Sequence, residues 1–157
     1  MNNLFKNMRV KIIFLVLTLF ISTGVYSQNW NEIIKANASD AESNDSFGFS
    51  VSISGNYALI GAPSETPDLG AGPLTNAGSA YIFERYGSGN WNEVQKINAS
   101  DAESGDNFGA TVSISGDYAI IVARYEAPDL GSGPLTNAGS AYIFERDGAG
   151  NWNEVQK

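Results

Sequence analysis

An all-β fold of four-stranded antiparallel blades, the architecture of a β-propeller, is predicted by three observations on the sequence. Asn29-Trp30-Asn31-Glu32 returns as Asn90-Trp91-Asn92-Glu93 and again as Asn151-Trp152-Asn153-Glu154, 61 residues apart each time. Laid over one another without a gap, residues 29–89 and 90–150 are identical at 45 positions, so the two copies should fold alike. Within a copy, short alternating segments are separated by Gly-rich turns, and nothing after residue 27 shows a helical period.

The first strand is Phe49 to Ser54, where Phe49, Val51 and Ile53 alternate with three serines. Gly55-Asn56 (Gly116-Asp117 in the second copy) is a two-residue turn with Gly first, as a tight hairpin of the primed type prefers. The second strand, Tyr57 to Ala62, stops at Pro63. A long loop, Ser64 to Gly78, carries Pro67, Gly70, Gly72 and Pro73. The third strand is Ser79 to Arg85, and a Gly-rich turn through Asn90 leads into the fourth, Trp91 to Ile97.

The third strand separates the candidate architectures. Ala80 and Ile82 face one way, Tyr81 and Phe83 the other, so both faces are apolar. A sheet with one wet face alternates apolar with polar, whereas a sheet sandwiched between similar sheets does not. A β-sandwich or β-solenoid is the rival; four antiparallel strands in a repeat of this length favour propeller blades.

The copy number sets a further expectation. Propellers close with about 4–8 blades. The sequence holds two, plus an extra N-terminal strand from Trp30 to Ala36, and it ends at Lys157 inside a motif that ran on past Lys96 in the previous copy. A partial propeller is therefore expected. Either the chain is a fragment, the favoured reading, or two-blade units assemble into a ring. Further blades, in the same chain or by self-assembly, would cover the aromatic faces and strand edges.

The front of the chain reads as an export signal. Lys6, Arg9 and Lys11 precede the apolar run Ile12–Ile21, and Gly24-Val25-Tyr26-Ser27 offers small residues before a cleavage at Gln28. An uncleaved anchor is the rival, but the run is short of the ~20 apolar residues that a span requires. The resulting organisation is a signal peptide at 1–27, an N-terminal strand and crossover loop at 28–46, a first repeat at 47–107 and a second at 108–157. The expected location is secreted, extracellular or at the cell surface.

Removing the signal leaves 17 acidic residues against six basic ones, a net charge of −11. That balance repels nucleic acid and anionic membranes and favours cations, basic partners or simple solubility. With no Cys, the fold is held by packing alone.

The repeat resembles the FG-GAP family, the blade repeat of integrin α-subunit propellers and of many exported bacterial proteins. Phe47-Gly48 opens the first strand, Gly61-Ala62-Pro63 closes the second, and Ala77-Gly78-Ser79-Ala80-Tyr81-Ile82-Phe83 is similar to the family's third strand. The second copy keeps Phe108-Gly109 but has Val122-Ala123-Arg124 in place of Gly-Ala-Pro. The resemblance implies calcium in an Asp-rich loop between the first two strands. Here that loop is only Gly55-Asn56 or Gly116-Asp117, which cannot supply six to eight oxygens. No metal site and no cofactor are therefore expected.

In a four-stranded meander the two short turns share one rim, while the second-to-third loop and the crossover to the next blade share the other. The long-loop rim collects Asp40, Glu42, Asp45, Glu65 and Asp68 in the first copy and Asp101, Glu103, Asp106, Glu126 and Asp129 in the second. These are the candidate binding-face carboxylates, for a protein or cation ligand; the rival reading is that Asp, Ser and Asn simply fill solvated turns. The resemblance to integrin-like propellers implies partner binding on the same face. Trp30, Trp91 and Trp152 could stack on sugars, but a place at the blade edge is favoured. Three Asn-X-Ser sequons, at Asn37, Asn44 and Asn98, are short patterns in an Asn- and Ser-rich chain.

Without His or Cys there is no imidazole base and no thiol nucleophile, and the carboxylates repeat with the blade where an active site breaks symmetry. No catalytic residue is assigned. The expected function is a non-catalytic secreted or cell-surface repeat module for protein interaction or adhesion. The alternative is a structural accessory module of a larger exported enzyme.

Overall fold

The alternating segments pair in the order that the hairpin turns between them dictate. The computed structural model describes residues 32–87 and 89–157. The signal peptide expected at 1–27, and Trp30, lie outside the described residues. Ile33–Lys157 form one compact unit, and all that follows concerns it.

The first copy holds β1 (Ser50–Ser54), β2 (Tyr57–Ala62), β3 (Ser79–Tyr86) and β4 (Asn90–Ile97). The second holds β5 (Phe108–Ser115), β6 (Tyr118–Ala123), β7 (Ser140–Arg146) and β8 (Trp152–Gln156). Each copy is one antiparallel sheet in the order β1-β2-β3-β4 or β5-β6-β7-β8. At the β1–β2 turn only Gly55 has a positive φ, +58°, and Ser54 pairs with Tyr57. This is the type II′ hairpin geometry that Gly in first place permits.

The extra N-terminal strand is not seen: Glu32 to Ala36 belongs to no ladder, and Ile33 is exposed. The repeat explains why. β4, its equivalent in the next copy, pairs with the third strand of its own blade, and no copy of the repeat precedes residue 29 in this sequence. The segment after it instead belongs to the blade that follows. Ser39 donates from both its amide and its hydroxyl to the Glu93 carboxylate, each at 2.8 Å, and Ala38 is buried against Ala62, Tyr81 and Phe83.

The two faces of β3 end in two different cores, as its composition requires. Ala80 and Ile82 are buried with Leu59 and Ile97 against Phe108, Val112, Ile114 and Tyr142 of the second sheet. Tyr81 and Phe83 pack on the other side with Phe47, which meets Tyr81 edge-on at 5.4 Å. The same contact recurs one blade on, where Phe108 meets Tyr142 at 5.4 Å and Phe144 at 6.2 Å. Each blade thus turns its Tyr/Phe face toward the preceding crossover, and the first turns its Ala/Ile face toward the second.

At the seam between sheets, backbone meets backbone. β1 and β2 lie on β5. Ser50 donates to the Gly109 carbonyl at 2.9 Å, and the Ser52 and Ser54 hydroxyls accept from the amides of Ile114 and Gly116. A Cβ built at Gly61 would fall under 3.0 Å from the Gly109 carbonyl oxygen, and one at Gly109 under 3.0 Å from that of Ser79. The glycine of one blade's second strand and the glycine after the next blade's phenylalanine are therefore mutual requirements of close packing.

Candidate functional site

The ends of β2 and β4 and the start of β3 come together at one end of each sheet, and the long loops extend from there. Strand pairing places Ala62 opposite Ser79 and Ala80 opposite Ile97. Lys96, next to Ile97, therefore reaches the loop carboxylates. Its ammonium donates to Asp40 at 2.7 Å and to Glu65 at 3.0 Å. Glu65 is buried and also accepts from the Ser79 hydroxyl at 2.5 Å, while Asp40 accepts from the Tyr81 hydroxyl at 2.9 Å. The second copy repeats this with Lys157, Asp101, Glu126, Ser140 and Tyr142.

The remaining candidate carboxylates are also accounted for residue by residue. Asp45 is buried and accepts from the Glu42 amide at 2.6 Å, and Asp106 accepts from the Glu103 amide at 2.7 Å. Asp68 accepts from the amides of Gly70 and Gly72, and Asp129 from those of Gly131 and Gly133, each bracing the loop tip. Glu42 and Glu103 are exposed and have no side-chain hydrogen bond among the described residues. Within each copy, then, four of the five acidic side chains hold their own loops in shape, and one points freely outward.

The network has a pH signature. Burial works to raise the Asp40 and Asp101 carboxyls, but the neighbouring ammonium and tyrosine hydroxyl outweigh it and hold both below the usual value of 3.8. Burial, then the aspartate hydrogen bond, pushes the Tyr81 and Tyr142 hydroxyls far above 10.0. Burial lowers Lys96 and Lys157, but their carboxylate partners leave both above 10.5. Lowered aspartates contribute stability that is present above the unfolded value and lost as pH falls through the folded one. Raised Lys and Tyr contribute stability that is present below the unfolded value and lost as pH rises. The urea midpoint is expected to fall on both sides, below pH 3.8 and above pH 10.0. Asp40→Asn, which keeps an acceptor for Tyr81, should shallow the acid limb. An acid limb identical to the wild type's would exclude Asp40 as a contributor.

Sequence reasoning passed over the exposed side chains of the same rim. Where the first copy has Pro63-Ser64, the second has Arg124-Tyr125, both exposed, with the guanidinium 4.5 Å from the ring centroid. The signal was present in the sequence, in the departure from Gly-Ala-Pro at Val122-Ala123-Arg124. Leu69 and Leu130 at the Asp-braced tips are 51% and 77% exposed. Trp152 is buried edge-on to Tyr57 at 5.8 Å, and Trp91 is half-buried, so both serve blade packing.

The short-turn rim offers little to a cation. The Asn56 side-chain oxygen accepts from Arg85 at 2.9 and 3.2 Å, and Asp117 pairs with Arg146. Each two-residue turn has one polar side chain, and an arginine holds an oxygen of it, so the residues here do not fit the calcium loop of integrin-like blades. Among the described residues no cluster of three or more His, Cys, Asp or Glu is placed to hold a metal ion. No helix among them is long and apolar enough to cross a membrane.

Two four-stranded antiparallel sheets stacked through apolar faces, with short turns on one rim and long loops on the other, are blades of a β-propeller. The model of the FG-GAP repeat matches residues 30–83 and again 91–144, and the chain belongs to that family. FG-GAP repeats are non-catalytic β-propeller modules that generally mediate protein interaction and occur in extracellular or surface proteins. Comparison with curated proteins finds no match.

Proposed function

We propose that the chain is a non-catalytic, secreted or cell-surface adhesion module that takes a protein partner on its long-loop rim. The observation that carries this reading is the break in repeat symmetry there. The two copies, identical at 45 of 61 positions, diverge at Arg124-Tyr125, and the divergence there is toward Arg and Tyr, exposed and stacked on each other. Tyr and Arg are the side chains most enriched at the energetic centres of protein interfaces. The carboxylates support the site in two ways. Those in the internal network keep the loops rigid, which lowers the cost of ordering them on binding. Glu42 and Glu103, with the acidic balance of the chain, steer a basic partner toward this rim.

Beads coated with the chain, offered a panel of immobilised matrix and cell-surface proteins, test the reading. Arg124→Ala with Tyr125→Ser, the latter restoring the first copy's residue, should lower retention on the bound member at least tenfold. Tyr86→Ser, on the opposite rim, should leave it unchanged. Equal retention by the rim variant and the wild type, or no retention anywhere, sinks the proposal.

A further inference from the structure

Exposed apolar side chains in the two copies are of two kinds. Val51 and Ile53 are each 67% exposed, but their equivalents Val112 and Ile114, with a blade before them, are 8% and 6% exposed. Ile120 is 45% exposed, but its equivalent Leu59, with a blade after it, is 0%. Such positions are seats for a neighbouring blade. The leucine at the apex of the long loop is of the other kind. Leu69 is 51% exposed with the second blade after it, and Leu130 is 77% exposed with the first blade before it. A blade on either side therefore leaves this side chain in water.

The loop holds that leucine in place. Its two arms are tied at successive levels: the Gly78 amide donates to the Glu65 carbonyl at 3.0 Å, the Asn76 amide to the Thr66 hydroxyl at 3.3 Å, and the Leu74 amide to the Pro67 carbonyl at 2.9 Å. Asp68 then pairs with Pro73, and its carboxylate accepts from the Gly70 and Gly72 amides at 2.9 and 3.2 Å. A Cβ built at Gly70 or Gly72 would meet nothing within 4 Å, so among the described residues the tip stands clear of both blades. The second copy repeats the brace, with Gly139 on Glu126, Leu135 on Pro128, and the Asp129 carboxylate on Gly131 and Gly133. A leucine held this way gains nothing for the fold and has little backbone freedom left to lose on binding.

We propose that Leu69 and Leu130 are apolar anchors of the long-loop rim, each entering an apolar pocket of a protein partner that sets Lys or Arg against the adjacent aspartate. The inference rests on the reading of this rim as a protein-binding face and names the chemistry of what it takes. The charge beside each leucine selects the occupant. Asp68 and Asp129 are exposed carboxylates next to the anchors, on a chain of net charge −8. A basic rim around the pocket complements them. A bilayer does not, since the carboxylate would follow the leucine toward the acyl chains and anionic headgroups repel the chain. With one anchor per blade, a partner that spans adjacent blades engages both at once.

Beads coated with the full chain, on the same panel of immobilised matrix and cell-surface proteins, test this. Leu69→Ser or Leu130→Ser should each lower retention about tenfold, and the two together about a hundredfold. Leu69→Met with Leu130→Met keeps the apolar bulk and should hold the wild-type level. The urea midpoint of the double serine variant should equal the wild type's; a fall that accounts for the lost retention would make the leucines structural and overturn the anchors. Full retention by the double serine variant, where Arg124→Ala with Tyr125→Ser loses it, overturns the anchors and leaves the rim reading standing. A wild type retained nowhere overturns both. Phosphatidylcholine vesicles supply the second arm. The wild type should stay in the supernatant when they are sedimented, and pelleting that the double serine variant loses would replace the protein pocket with a bilayer.

Discussion

Alanine at position 109 is expected to lower stability by about 2–6 kcal/mol. Two costs combine there. Gly109 has a φ of +90°, a conformation that a side chain strains by about 1–3 kcal/mol. A Cβ there also collides with the Ser79 carbonyl and the second strand of the first blade, adding about 1–3 kcal/mol or more of over-packing. Two companion variants separate these costs. Gly48→Ala carries the strain alone, since φ is +86° and nothing lies within 4 Å of the added carbon. Gly61→Ala carries the collision alone, since its φ is not positive. Urea titrations of the three should rank Gly109→Ala as the most destabilised, by roughly the sum of the other two losses. If Gly48→Ala cost as much as Gly109→Ala, the close approach of the two blades would not be what the second glycine serves.

Phe108→Ala should cost about 3–5 kcal/mol. The ring is fully buried at the seam, edge-on to Tyr142 and Phe144 and in the same core as Leu59 and Ile82. Its loss leaves a cavity between two sheets that are each braced by their own ladders, so collapse to fill it is limited. Phe47 is the same residue of the motif one blade earlier, with the same contacts to Tyr81 and Phe83 but only half-buried. Its alanine variant should cost less than about 3 kcal/mol, the transfer of a side chain that water already reaches. The pair reads the contribution of a neighbouring blade directly. Equal losses at 47 and 108 would mean that the seam adds nothing to the burial of this ring.

Most of the architecture was legible because it rests on local chemistry. Strand positions followed from a period of two, and the hairpin from Gly before Asn or Asp. The two-faced third strand followed from Ala80 and Ile82 alternating with Tyr81 and Phe83. The strand expected at Trp30–Ala36 is absent over its described part, Glu32–Ala36, for a reason of the opposite kind. Its residues match β4 in type, but a strand exists only where a ladder partner exists, and none lies beside it among the described residues.

The long-loop rim shows the same division. Its composition reads as five free carboxylates per copy, because a sequence lists side chains without their partners. Folding brings Lys96 to Asp40 and Glu65, over separations of 56 and 31 residues, and turns most of the acid inward to hold the loops.

What the sequence determined by itself is the repeat: an all-β chain of two blades, with short turns on one rim and long loops on the other. Those are properties of neighbours along the chain. The tertiary structure decided which carboxylates are occupied and that Gly61 and Gly109 need each other. The Lys96 ion pairs and the close approach of Gly61 and Gly109 join residues 31 to 56 positions apart, which no local pattern encodes.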